Sequence, residues 1–240
     1  MSRNSFRTLA GRDVPAVTAA EMRAVDRVAV EDVGFELLQM MENAGRILAW
    51  HVRDIRNTSD SVVVVAGNGG NGGGGLVCAR HLTNRDIPVE ILLDRPPREL
   101  TDTTAHQYRI LDEMGVPSTT NLDRLSDMDD PLVVDALIGY GLQGELRPPA
   151  RAYIDSMDHR SLSLVSLDVP SGLDATSGES LGTAVTAGRT VTLALPKTGL
   201  DAVTGRLFVG DIGIPGTVYE RLGIEYDSFF GDRDWVELAL

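Results

Sequence analysis

The chain has 240 residues, 42% of them hydrophobic, which is enough for one large α/β domain to bury its core without disulfide or metal staples. With 35 acidic residues against 22 basic ones the net charge is −13, which argues against nucleic acid as a partner, since its phosphates require a basic surface. The single cysteine, Cys78, excludes an internal disulfide, and no apolar stretch is long enough to cross a bilayer.

The first seven residues lack the apolar core of a signal peptide, so a cytoplasmic protein is expected. Thr18 followed three residues later by Glu21 has the pattern of a capping box and predicts an amphipathic helix to about Val30. A second helix is predicted over 36–53, its apolar face made by Leu37, Met40, Met41, Ala44, Ile47 and Leu48. Four consecutive valines at 62–65 then read as a strand buried on both faces.

Directly after this strand comes the run Gly67-Asn68-Gly69-Gly70-Asn71-Gly72-Gly73-Gly74-Gly75, followed by a helix-like segment over 77–82. Glycines at a strand end let backbone amides approach a ligand that a Cβ would push away, so the run reads as a phosphate or nucleotide loop rather than a linker. Its match to G-x-G-x-x-G is loose, and the Gly-Lys-Ser/Thr of a P-loop is absent. Cys78, on the apolar face of the helix, reads as a small core residue.

Further strands are predicted over 89–93, 132–137, 162–167, 190–195 and 206–209, with helices near 103–114 and 150–157. Parallel strands joined by crossover helices give an α/β fold, a doubly wound sheet with helices on both faces. In such sheets the ligand sits outside the carboxyl ends of the strands. That rule selects the segments 67–75, 135–144, 168–174 and 196–200.

Asp135 closes one apolar strand and precedes a second glycine-rich turn. A carboxylate there can ligate a cation while the turn's amides bind phosphate, or it can simply cap the turn. Asp168 closes another strand. Pro170 disfavours helix at Val169 and Gly172 permits a left-handed turn, so a rigid corner should hold Asp168 and Ser171. Asp168 is a candidate general acid or base, and Ser171 a candidate oxygen donor to a cation. The four histidines, His51, His81, His106 and His159, are scattered and give no transition-metal signature; they read as solvated or packing residues. The oxygen set of Asn71, Asp135 and Ser171 suits a hard ion instead.

Lys197 is the only lysine in the chain, which invites a functional explanation for it. High acidity with so little lysine resembles halophilic proteins from salt-accumulating organisms, although a GC-rich genome also exchanges lysine for arginine.

Seven segments together resemble one known family: Thr18-Ala19-Ala20-Glu21-Met22 with Asp26, Met41-Glu42-Asn43-Ala44-Gly45, the glycine run at 67–75, Asp135-Ala136-Leu137-Ile138-Gly139-Tyr140-Gly141, Asp168-Val169-Pro170-Ser171-Gly172-Leu173-Asp174, Leu195-Pro196-Lys197-Thr198-Gly199-Leu200 and Gly210-Asp211-Ile212-Gly213-Ile214-Pro215. In order, and over nearly the whole chain, they are similar to the NAD(P)H-hydrate epimerase family, also called the YjeF N-terminal domain. The resemblance implies a single domain over 1–240, a Rossmann-like three-layer α/β/α sandwich with a mostly parallel sheet. Its N-terminal helices would span about 18–55 and its core about 61–215.

The resemblance also implies an isomerase that interconverts the R and S epimers of NAD(P)HX, the hydrated and therefore damaged form of NADH or NADPH. A dehydratase would then repair one epimer, and because no dehydratase domain precedes Leu240, that partner is expected to be separate. By position, Asn71, Asp135 and Ser171 would hold one potassium ion (K+) per subunit. Gly70, Asn71, Gly72, Gly73 and Gly74 of the first loop would bind substrate, as would Gly139, Tyr140, Gly141, Leu142, Gln143, Gly144 and Glu145 of the second. Asp168 would meet the hydrated ring as acid and base, with Lys197 tuning it or binding an anionic group.

The chain departs from the family pattern at three places. Gly70 stands where the family has an asparagine, Gly74 where it has an aspartate expected to face the substrate, and Tyr140 where it has a threonine. Two readings follow: an epimerase, or a catalytically degenerate nucleotide-binding or scaffold module of the same fold. The sequence leaves the oligomeric state open, a homodimer included.

Overall fold

A computed structural model describes residues 5–57, 61–142, 144–146, 148–158 and 163–240. Its centre is a ten-stranded sheet. In chain order the strands are β1 (Ser5–Thr8), β2 (Asp13–Pro15), β3 (Val62–Ala66), β4 (Val89–Leu93), β5 (Ser118–Thr119), β6 (Leu132–Ala136), β7 (Leu164–Leu167), β8 (Arg189–Leu193), β9 (Arg206–Gly210) and β10 (Trp235–Ala239). The helices are α1 (Ala19–Arg27), α2 (Leu37–Ile55), α3 (Gly70–Thr83), α4 (Asp102–Glu113), α5 (Asp123–Asp127), α6 (Pro148–Asp158) and α7 (Gly216–Arg221).

Across the sheet the order is β2-β1-β10-β9-β8-β7-β6-β3-β4-β5. From β9 to β5 every pairing is parallel, with Val64 of β3 level with Ile91 of β4 and Val134 of β6. The direction of winding reverses between β3 and β6, the switch point at which such sheets open a crevice. The valine strand feeds both faces by its period of two. Val62, Val64 and Ala66 pack with α2, α3 and α4, whereas Val63 and Val65 pack with Tyr153, Ile154 and Met157 of α6. This is the expected sandwich with a mostly parallel sheet.

Several features were not expected from the sequence, the short elements β5, α5 and α7 among them. The antiparallel edge made by β10, β1 and β2 extends the sheet with residues from both ends of the described chain. The glycine run is not an extended loop, because α3 begins at Gly70 and buries Gly72, Gly73, Gly74 and Gly75 in its first turns. Five glycines are poor helix formers, and packing accounts for them. A Cβ on Gly72 would lie 1.7 Å from the Gly67 carbonyl oxygen, one on Gly73 2.6 Å from Met41 Cε, and one on Gly75 2.4 Å from Ala136 Cβ. They let α3 lie against α2 and the sheet at backbone distance. The capping box at Thr18 is present, but α1 ends at Arg27 and passes into a π turn over Val28–Asp32.

Candidate active site

A cleft of about 1060 Å³ opens at the carboxyl ends of the parallel strands. Its lining brings together Asn68, Gly69, Gly70 and Asn71 after β3, the turn after β6, Asp168 after β7 and Lys197 after β8. All four strand-end segments therefore reach the cleft, the 168–174 corner through Asp168 alone and the 196–200 segment through Lys197 alone.

Asp168 is the centre of the polar wall. Its φ of +67° lies in the left-handed region, which aspartate and asparagine enter more readily than other side chains. The corner that follows holds it there, since Ser171 is locked from both sides and Gly172 has a φ of +95°. Asp168 donates its N–H to the Val191 carbonyl at 2.7 Å. Its Oδ1 accepts from Lys197 Nζ at 2.5 Å and its Oδ2 from the Tyr140 N–H at 2.9 Å. Lys197 is 1% exposed and also donates to the Leu193 carbonyl at 3.0 Å. The one lysine of the chain is thus a buried counter-charge to the candidate acid/base.

Tyr140 covers this pair. Its ring centroid lies 5.4 Å from Lys197 Nζ, and its hydroxyl donates to Asp26 of α1. Burial pushes the Asp26 carboxyl above the usual range against the pull of the Tyr140 hydroxyl, and burial with the facing Asp26 raises the Tyr140 phenol. Gly139 sits where nothing larger fits: a Cβ there would lie 2.9 Å from Asp168 Oδ2 and 3.1 Å from Asn71 Cγ. Asn71, with its amide satisfied on both sides, donates to the Leu167 carbonyl at 3.2 Å and accepts from the Gly139 N–H at 3.3 Å.

Asp135 is fully buried. Its Oδ1 accepts from Ser171 Oγ at 2.5 Å and the Leu137 N–H at 3.3 Å, its Oδ2 from Ser166 Oγ at 2.8 Å and the Ser171 N–H at 2.9 Å. Burial pushes its carboxyl up despite these four donors, all of them neutral. Among the described residues no group of three His, Cys, Asp or Glu could hold a metal ion. A cation here would depend on the mixed oxygen set of carboxylate, hydroxyl and amide.

Several expected ligand contacts are corrected. Gly72, Gly73 and Gly74 do not line the cleft. Gly73 N–H is already bonded to the Gly69 carbonyl, and a Cβ on Gly74 would point at Leu167 Cδ2, 2.9 Å away, not at the cleft. Gly141, Leu142 and Glu145 line it, Gly144 does not, and Gln143 lies outside the described residues. His51 and His81 are packing residues, paired with Arg189 and Glu42, and His159 is also outside the described residues. The sequence put Leu37, Met40 and Met41 on the apolar face of the second helix but gave neither them nor Asp26 a place in the cleft, where the three form the apolar wall. Asp26 lies four residues after Met22 on one face of α1, and that spacing was its available signal.

Residues 37–199 match the family described as YjeF-related protein N-terminus. An NAD(P)H-hydrate epimerase of Dehalogenimonas lykanthroporepellens is 41% identical over 225 residues, covering 92% of this chain and 91% of that protein. An NAD(P)H-hydrate epimerase of Oenococcus oeni is 33% identical over 204 residues, covering 82% and 96%. A bifunctional NAD(P)H-hydrate repair enzyme of Salinibacter ruber is 37% identical, and there the match spans 86% of this chain but 42% of the relative. In fold, a yeast protein of known crystal structure superposes with a TM-score of 0.82 at 24% identity, over 94% of this chain and all of that one.

Proposed function

This chain belongs to the family of YjeF-related protein N-termini, and from that membership we propose that it is an NAD(P)H-hydrate epimerase, interconverting the R and S forms of hydrated NADH and NADPH. Water adds to the enamine of a dihydronicotinamide ring at the carbon beside the ring nitrogen. Either epimer can become the other only when a bond at that carbon breaks and re-forms on the opposite face. A balanced route needs one proton carrier: the hydroxyl proton leaves, the carbon–nitrogen bond opens to an aldehyde, the nitrogen takes the proton, and closure on the other face reverses each transfer.

Asp168 is the group for that carrier. The observation that supports the reading is the Asp168 carboxylate at the cleft wall, fixed by Lys197 at 2.5 Å and by the Tyr140 N–H at 2.9 Å, in a backbone conformation only a rigid corner maintains. Gly70 and Asn71 open α3, where N–H groups lack intrahelical partners, and both line the cleft, so with Gly139, Tyr140, Gly141 and Leu142 they suit the substrate's phosphates. Loss of the family aspartate at position 74 bears little on catalysis in this reading, since that position faces Leu167. This favours the epimerase over a degenerate scaffold.

Asn71, Asp135 and Ser171 would hold a potassium ion. The fit rests on Asp135, a fully buried carboxylate with only neutral partners in an all-oxygen set. When bound, the ion would supply positive charge to balance the buried Asp135 carboxylate; of the three residues only Asn71 lines the cleft, with Asp135 and Ser171 behind its wall. A separate dehydratase would consume the product, taking the place of the second activity in bifunctional relatives, and a cytoplasmic setting and a homodimer are compatible with this role.

The test is chromatographic separation of the two NADHX epimers after incubating one of them with the protein. Equilibration by the wild type and none above background with Asp168→Asn is expected. Equal turnover by the two would remove Asp168 from the mechanism, and no turnover by the wild type would remove the epimerase reading.

A further inference from the structure

The sheet order puts the two halves of a dinucleotide on opposite sides of the reversal between β3 and β6. Asp168, after β7, marks the side of the hydrated ring. On the other side β4 ends at Leu93 and is followed at once by Asp94, whose N–H donates to the Ala66 carbonyl at 3.1 Å. Asp94 lines the same cleft as Asn68, Gly69 and Asp168, with its side chain 14% exposed. In doubly wound dinucleotide folds an acidic side chain after the strand that follows the glycine-rich helix is placed to accept from the hydroxyls of the adenosine ribose.

The neighbouring residue decides what that carboxylate would tolerate. Arg95 is folded back onto Asp94, with Nε 2.9 Å from Oδ1 and Nη2 2.8 Å from Oδ2, so the guanidinium that could receive a ribose 2′-phosphate is already neutralised. Glu99 adds a second carboxylate to this wall. A 2′-phosphate arriving here would meet a neutral Asp94–Arg95 pair with no free cation and the negative Glu99 beside it, whereas a 2′-hydroxyl can still donate to the lone pairs that Arg95 leaves open on the Asp94 oxygens.

We propose that Asp94 selects the adenosine ribose with a free 2′-hydroxyl, so that this chain acts on hydrated NADH in preference to hydrated NADPH. Arg95 is the latent phosphate contact that Asp94 suppresses. The assignment rests on the epimerase reading for its orientation, with the ring at Asp168 and the adenosine over β4.

The adenosine half can be tested apart from the chemistry. Calorimetric titration with ADP-ribose and with 2′-phospho-ADP-ribose is expected to favour ADP-ribose by roughly tenfold or more in the wild type. Asp94→Ser should bring the two probes to parity or reverse them by freeing Arg95, and adding Arg95→Ala should weaken the 2′-phosphorylated probe again. In parallel, kcat/KM for the epimers of NADHX and NADPHX should show the same ratio and the same response to Asp94→Ser. Equal binding of both probes by the wild type, a ratio unchanged in Asp94→Ser, or no binding of either probe overturns the proposal. Selectivity without turnover would instead sink the epimerase reading alone, and turnover without selectivity the ribose assignment alone.

Discussion

Asp168 is held in a left-handed backbone conformation that costs of order 1–3 kcal/mol for such a residue, and its carboxylate is sealed to a buried lysine. Removing one member of a buried pair leaves the other charge uncompensated, so Asp168→Asn, which keeps a residue tolerant of this conformation, should still lower unfolding free energy by about 3 kcal/mol. Asp168→Asn combined with Lys197→Met should recover most of that loss without recovering epimerisation. Urea unfolding beside the epimer assay separates the two roles, and turnover regained in the double variant would mean that the carboxylate serves structure only. Both residues were visible in the sequence for local reasons, an aspartate ending an apolar strand and a lone lysine. The Tyr140–Asp26 contact was not, because it joins positions 114 residues apart and neither belongs to a pattern that names the other.

At the scale of elements, the glycine helix and α2 carry predictions of opposite origin. A side chain at position 74 would enter the wedge between α3 and β7, where Leu167 Cδ2 lies 2.9 Å and Ala44 Cβ 3.8 Å from the Cβ. Gly74→Asp gains only about 0.3 kcal/mol of helix propensity and buries a carboxylate among apolar groups, so a net loss of roughly 2 kcal/mol is expected by urea unfolding. A stabilised variant would show that the wedge opens to the cleft after all. In α2, His51 is buried against Arg189, with Nδ1 3.0 Å from the guanidinium, and burial followed by that positive charge lowers its pKa from 6.5 to about 3. Below pH 6.5 the unfolded chain binds a proton that the folded one refuses. This contribution is therefore complete above about pH 6.5 and is lost as pH falls towards 3, reaching about 2 kcal/mol by pH 5. His51→Gln should flatten the stability slope between pH 7 and 5, and an unaltered slope would assign it to other groups.

The elements differ in how far the sequence disclosed them. β3, β4 and β6 were legible as apolar runs because both faces are covered. β1 and β2 are short, with four and three residues, and they pair with distant partners, so propensity had little to act on. β10 alternates half-buried and buried positions, but its residues Trp235, Val236, Leu238 and Ala239 are apolar on both faces, so the sequence carries no clean period of two.

At the scale of the molecule, the alternation of strands and helices carried the parallel sheet and its switch point, while the antiparallel edge depended on contacts between the two ends of the chain. Charge acts at the same scale. With a net charge of −13, each carboxylate lies in a field that opposes compaction. Exposed pairs such as Arg7–Asp13 offset it weakly, since their side chains are 68% and 69% accessible. Salt shortens the range of repulsion to about 10 Å at 0.1 M and about 3 Å at 1 M, so screening should relieve more repulsion than it removes attraction. The melting temperature is therefore expected to rise from low salt to molar choline chloride, a salt whose cation is too large for an oxygen cage. Potassium chloride should add a further rise, saturating well below molar concentration, and Asp135→Asn should abolish that increment while leaving the choline response intact. A flat choline curve would reduce the lysine deficit to a matter of composition, and identical potassium and choline curves would remove the ion from Asn71, Asp135 and Ser171.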